Sequence, residues 1–240
     1  PAITTRGLVD PESTDQPAAE RDGTWEFEDS DELFVFVHGF DTDDDTARDQ
    51  AYATQVGLES LRPRPVVTYS WDSDVDWGPA KEIADANAAP LADWLVGWAD
   101  ADGRPVHLIG YSLGARVIGE TLRRLAESGQ TDVVDSVSLL GGAIPHDSVE
   151  REGRYGEAIA ALNGPVNNFH NQNDRVLGWV YRLSDSTRAV GQTGIRDSDA
   201  TPTGYVDVDV TDLVDDHYSY FEPEEGCLPR VVEQLERQPS

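Results

Sequence analysis

Val106-His107-Leu108-Ile109-Gly110-Tyr111-Ser112-Leu113-Gly114-Ala115-Arg116 is the stretch on which the reading of this chain turns. Its first part is a short, mostly apolar run ending at glycine, the pattern of a strand covered on both faces. Beyond it Val117, Ile118, Thr121, Leu122 and Leu125 recur at helical spacing. Between strand and helix lies Gly110-Tyr111-Ser112-Leu113-Gly114, a G-x-S-x-G. A strand-to-helix turn this sharp holds its apex residue in a strained backbone, and the small residues two before and two after let neighbouring backbones approach. Ser112 is thereby pushed out at the carboxyl end of the sheet, where clefts form in open α/β folds. The N–H groups that follow begin a helix and point at any anion that develops there. With 21 glycines and 15 serines in 240 residues, the pattern arises by chance with probability of roughly 0.1. The competing reading is a glycine-rich turn in which Ser112 only caps the helix; placement between strand and helix favours the first.

Outward from this block the chain alternates strands and helices. Leu33-Phe34-Val35-Phe36-Val37 ends at His38-Gly39 and reads as a buried strand. Residues 65–70, 133–140, 165–170 and 205–210 read as further strands. Helices are expected over 44–61, capped by Asp44 or Asp45, and over 79–98, bent or split at Pro90. Others are expected over 149–162, 175–183 and 228–235. Residues 184–203 are too polar for a core element, and 1–30 offer only weak strands near 4–9 and 24–28. The rhythm predicts one domain spanning 1–240, a mostly parallel sheet with helices on both faces and no large lid.

Charge narrows the function classes. Asp and Glu total 46 against 18 Lys and Arg, a formal net of −28. Such a surface repels phosphate backbones and anionic lipid headgroups, so nucleic-acid binding is disfavoured. No apolar run approaches the roughly 18 residues of a bilayer helix. The first thirty residues lack the basic start and apolar core of a signal peptide, which predicts a cytoplasmic protein. Cys227 is the sole cysteine, so no internal disulfide forms. Lys81 is the sole lysine, and carboxylates are scattered throughout, a composition like that of salt-loving archaeal proteins. In dilute buffer these charges repel one another, whereas at 1 M salt the screening length shrinks to about 3 Å. The melting temperature is therefore expected to rise with salt; a value constant from about 0.1 to 3 M would contradict this.

The partners of Ser112 follow from chain order, serine then acid then histidine. Of five histidines, only His217 comes just after the last expected strand, and it is the candidate general base. Asp174 follows the penultimate strand and is the candidate acid, to hold the imidazole tautomer and stabilise its charged form. A helix cap is its competing role, and Asp147 is the substitute acid. Phe40, after His38-Gly39, and Leu113 would donate backbone N–H groups to an oxyanion. His38 reads as a structural histidine bonded to nearby loop carbonyls. Trp71, Trp77 and Tyr111 sit on loops beside the expected cleft and are candidates to line an acyl pocket, with core packing the stronger reading for each. Arg116 more naturally braces loops than touches substrate.

The stretches HLIGYSLGARVIGETL, NQNDRVLGWVYRL and YVDVDVTDLVDDHYSY resemble the signature blocks of a poorly characterised α/β-hydrolase family that includes eukaryotic transmembrane and coiled-coil proteins. The resemblance covers residues 106–220, and its triad positions fall on Ser112, Asp174 and His217. It implies the α/β-hydrolase fold and a serine hydrolase acting on small-molecule esters. The same residues would serve acyl transfer or thioester cleavage, and a hydrolase scaffold turned binding module is the rival class. This chemistry needs no cofactor or metal. The acidic run at 41–45 lacks the sixth-position glycine and twelfth-position acid of a calcium loop, and with a shallow cleft the site is expected to be fairly open.

Overall fold

The structure, a computed structural model, describes residues 1–27, 30–59 and 63–237. In chain order its strands and helices are β1 (Ala2–Thr4), β2 (Glu20–Asp22), β3 (Leu33–Val37), α1 (Asp44–Leu58), β4 (Val66–Ser70), α2 (Trp77–Ala86), α3 (Ala88–Ala101), β5 (Val106–Tyr111), α4 (Gly114–Glu127), β6 (Ser136–Leu140), α5 (Gly156–Ala161), β7 (Val166–His170), α6 (Arg182–Asp185), α7 (Val190–Thr193), β8 (Tyr205–Asp209) and α8 (Leu228–Glu236). The strands form one sheet in the order β2-β1-β4-β3-β5-β6-β7-β8. Among the described residues, only the β1–β2 pair of these strands is antiparallel.

Alternation along β3 sorts its side chains onto two faces. Leu33, Val35 and Val37 join Leu91, Leu95, Trp98, Val117 and Leu122 in one core. Phe34 and Phe36 join Leu58, Phe221, Leu228 and Val231 in the other. The sheet is thus covered on one side by α2–α5 and on the other by α1 and α8, which is why its central strands read as continuous apolar runs. Among the described residues no helix is long and apolar enough to cross a membrane.

Several expectations need correction. The two amino-terminal strands are β1 and β2, not 4–9 and 24–28. Ile3 is fully buried, pairing β1 with β4, while β2 is the wholly exposed Glu-Arg-Asp and carries no apolar signal. Trp25 instead packs on Trp94 and Trp98; Glu28 lies outside the described residues. Asp43, rather than Asp44 or Asp45, caps α1 by accepting the Thr46 N–H at 2.8 Å. That helix ends at Leu58, and Leu61 lies outside the described residues. Residues 79–98 belong to two helices parted at Asn87, whose buried amide bonds Ile83, Tyr69 and Thr5. Pro90 falls in the first turn of α3, where its missing N–H has no helical acceptor to serve. Of 149–162, only α5 is helical. Residues 175–183 form a π-helix (Val176–Tyr181) leading into α6. Residues 184–203 do contain a core element: Ala189 and Val190 are fully buried. A Cβ on Gly191 would overlap the backbone of Gly141 and Gly142, so that contact is made by backbone and leaves little apolar signature.

Candidate active site

β5 delivers Ser112 to the carboxyl end of the sheet. Ser112 has φ of +52°, the left-handed region that a non-glycine residue occupies only under constraint. Three backbone bonds supply it: Ser112 N–H donates to the Leu140 carbonyl at 3.0 Å, and its carbonyl accepts from Ala115 at 3.2 Å and Ala143 at 2.9 Å. The elbow glycines explain themselves by contact. A Cβ on Gly114 would overlap the carbonyl oxygens of Val37 and His38, and one on Gly110 would lie 2.7 Å from Ile118 Cδ1.

Ser112 Oγ is 2.9 Å from His217 Nε2, and His217 Nδ1 is 2.7 Å from Asp174 Oδ2. The chain is almost closed to water: Ser112, His217 and Asp174 are 6%, 4% and 1% exposed. Asp174 also accepts the Leu177 N–H at 3.0 Å through Oδ1, and the Tyr220 hydroxyl lies 3.3 Å from its Oδ2.

Two loops are tied together to bring acid and histidine within reach. Buried Asn171 donates its side-chain amide to the Val214 carbonyl at 2.8 Å and accepts the Asn173 N–H through Oδ1 at 2.8 Å. The Tyr111 hydroxyl donates to the His217 carbonyl at 2.9 Å. Burial raises the Tyr111 and Tyr220 hydroxyls well above their ordinary range, so both remain neutral donors. Asn171, Tyr220 and this use of Tyr111 escaped the sequence reading. The signals were present, since Asn171 stands three residues before the acid and Tyr220 three after the histidine.

Gly39 brings the β3 loop against the serine: a Cβ there would lie 2.9 Å from Ser112 Cβ. Among the described residues the N–H groups of Phe40 and Leu113 donate to no protein acceptor, leaving both available beside Ser112. His38 is fully buried. Its Nδ1 lies 3.0 Å from the Gly39 carbonyl, while Nε2 accepts the Trp71 N–H at 3.1 Å. Burial lowers its pKa from 6.5 to about 3, which keeps it neutral, a structural part as expected. The unfolded chain takes up this proton below about 6.5 and the folded one only near 3. Stability from this group is thus lost as pH falls between those values, by about 1.4 kcal/mol per pH unit. Denaturant midpoints should drop from pH 6.5 to 4.5, and His38→Asn should flatten the slope by about one proton; an unchanged slope would contradict the assignment.

Trp71 is fully buried, stacked on His38 at 5.5 Å with its indole N–H on the His38 carbonyl. It braces the loop and presents no surface to a ligand, and Tyr111, 4% exposed, likewise packs beneath His217. Asp147 pairs with Arg196 at 3.1 Å and not with a histidine. Arg116 grips Asp85 through two bonds of 2.6 and 2.7 Å. In the acidic run, Asp44 binds Arg48 and Ser70. Among the described residues no cluster of His, Cys, Asp or Glu is arranged to hold a metal.

A mostly parallel eight-stranded sheet, covered on both faces and carrying a serine at a strained strand–helix elbow, makes this an α/β-hydrolase fold. It superposes on the "putative cell surface hydrolase" of Lactobacillus plantarum WCFS1 with a TM-score of 0.54 at 12% identity, covering 87% of this chain and 92% of that one. The chain belongs to the family described as "Protein of unknown function (DUF726)", whose model matches residues 58–232. Among relatives, the transmembrane and coiled-coil domain-containing protein STS1 of Oryza sativa subsp. japonica is 37% identical over 164 residues, 68% of this chain. The protein named "Probable lipase MIL1" of Saccharomyces cerevisiae is 24% identical over 160 residues, 66% of this chain. This chain spans only 23% and 14% of those two proteins.

Proposed function

We propose that this chain is a serine hydrolase that cleaves carboxylic esters of small molecules through an acyl-enzyme intermediate. One observation carries the reading: the continuous hydrogen-bonded chain from Ser112 Oγ through His217 to Asp174, 2.9 and 2.7 Å long, starting at a strained elbow. A buried serine, imidazole and carboxylate in this order are costly to maintain for packing alone. The relative named a lipase supports an ester as the bond attacked.

The chemistry follows from proton positions. Ser112 Oγ attacks the ester carbonyl carbon as His217 Nε2 takes the hydroxyl proton. Asp174 stays ionised, holding Nδ1–H and stabilising the imidazolium. The carbonyl oxygen, now an oxyanion, takes hydrogen bonds from the Phe40 and Leu113 N–H groups. Collapse of the tetrahedral intermediate breaks the bond to the alkoxy oxygen, which leaves with the proton from Nε2. Water then enters, gives a proton to His217, attacks the acyl carbon and releases the acid, returning the proton to Ser112.

Esters of graded acyl length, assayed in molar salt, test this. Wild type should turn over at least the shorter members, and Ser112→Ala none. Equal turnover by both proteins would remove Ser112 from the chemistry. No turnover by wild type would leave a binding module on a hydrolase scaffold.

A further inference from the structure

A small apolar cluster stands apart from the two cores. Ala143, Leu177, Tyr181 and Ala189 are between 0% and 4% exposed, with Trp77 packed against them. Three contacts set it beside the reacting groups. Ala143 donates its N–H to the Ser112 carbonyl at 2.9 Å, and Leu177 donates to Asp174 at 3.0 Å. Trp77 stands edge-on to Phe40, ring centres 5.2 Å apart, and edge-on to Tyr181 at 6.0 Å. The cluster therefore reaches from the Phe40 ring and the Ser112 backbone on one side to Asp174 on the other.

Leu177 and Tyr181 come from the π-helix Val176–Tyr181, which continues into α6. π-turns are rare and concentrate at functional sites. This segment is fastened at its far end by Asp185, which accepts the Trp77 indole N–H at 2.7 Å and the Lys81 ammonium at 2.5 Å. Trp77 and Lys81 lie one turn apart on α2, and Lys81 Nζ is 5.6 Å from the centre of the Trp77 ring. Lys81 is the sole lysine in a chain with 46 carboxylates. Its ammonium, on a flexible stem, meets Asp185 while staying beside the indole.

We infer that this cluster is the acyl-side wall of the site, that Lys81 and Asp185 are positioning residues that hold it closed, and that the closed wall restricts the enzyme to short, uncharged acyl groups. The inference rests on the serine-hydrolase reading above. The cluster is built of aliphatic and aromatic carbon, and the Asp185 carboxylate at its far end is neutralised by Lys81, so nothing in it favours a charged acyl chain. Its members are already packed against one another, so a longer chain fits only when the 176–185 segment moves off α2. The bonds at Asp185 oppose that movement.

The test compares the full chain with Lys81→Met, Asp185→Asn and Lys81→Arg in molar salt. Two quantities are read: the ratio of kcat/KM for p-nitrophenyl octanoate over acetate, and amide hydrogen exchange across 176–185. Lys81→Met and Asp185→Asn should each raise the ratio about tenfold and speed exchange in that segment, and Lys81→Arg should lie closer to wild type in both. Faster exchange with an unchanged ratio would overturn the acyl-wall assignment. Unchanged exchange in both disruptive variants would overturn the clamp. Absence of ester turnover in wild type would instead defeat the hydrolase reading, and the exchange measurement would still decide whether the clamp exists.

Discussion

Asp174→Asn is expected to lower turnover of any ester substrate by about 10⁴-fold while leaving the fold intact. The magnitude comes from tautomer control. The Leu177 N–H bonds Oδ1 of Asp174 at 3.0 Å and His217 Nδ1 bonds Oδ2 at 2.7 Å. An asparagine would keep its carbonyl oxygen on Leu177 and turn its NH₂ toward Nδ1. That nitrogen would then have to accept, the ring proton would move to Nε2, and His217 would lose the lone pair with which it takes the Ser112 proton. Circular dichroism and the denaturant midpoint should change little by comparison, since the amide replaces the carboxylate atom for atom. A loss smaller than about tenfold would mean that Asp174 is only a loop brace.

Gly114→Ala carries the largest expected effect on stability. The added Cβ would overlap the Val37 and His38 carbonyl oxygens, and neither strand can retreat, because Val37 pairs with Gly110 in the centre of the sheet. Overpacking against fixed backbone should destabilise by about 3 kcal/mol or more. Gly97→Ala is the control: it is an exposed position inside α3 with no atom within 4 Å of the new Cβ. There the substitution should stabilise by roughly 0.5–1 kcal/mol. Chemical denaturation in molar salt reads both. A Gly114→Ala loss below about 1 kcal/mol would show that the elbow is looser than its contacts imply.

The elbow was readable because strand, turn and helix each leave a distinct local mark in 106–125, and because close backbone approach admits so few residue types at Gly110 and Gly114. His217 was singled out by elimination, as the histidine that follows the last strand, and its Nε2 lies 2.9 Å from Ser112 Oγ. What resisted reading has a common physical cause: contacts made by backbone or by polar side chains leave no periodic apolar pattern. The strand β2 is wholly charged yet pairs with β1, α7 packs through Gly191, and Asn171 joins two loops through its amide alone. Trp71, whose stronger reading was core packing, is the opposite case. A large aromatic beside a cleft suggests a ligand contact, but its indole N–H found the His38 carbonyl and its ring the imidazole, so the whole side chain is buried.

The most direct test of the central claim is to treat the protein with a fluorophosphonate in molar salt and map the adduct by peptide mass. The account predicts a single phosphonylated residue, Ser112, with labelling abolished in Ser112→Ala and strongly slowed in a His217 variant. An adduct on another residue, equal labelling of wild type and Ser112→Ala, or no labelling of folded wild type would contradict it.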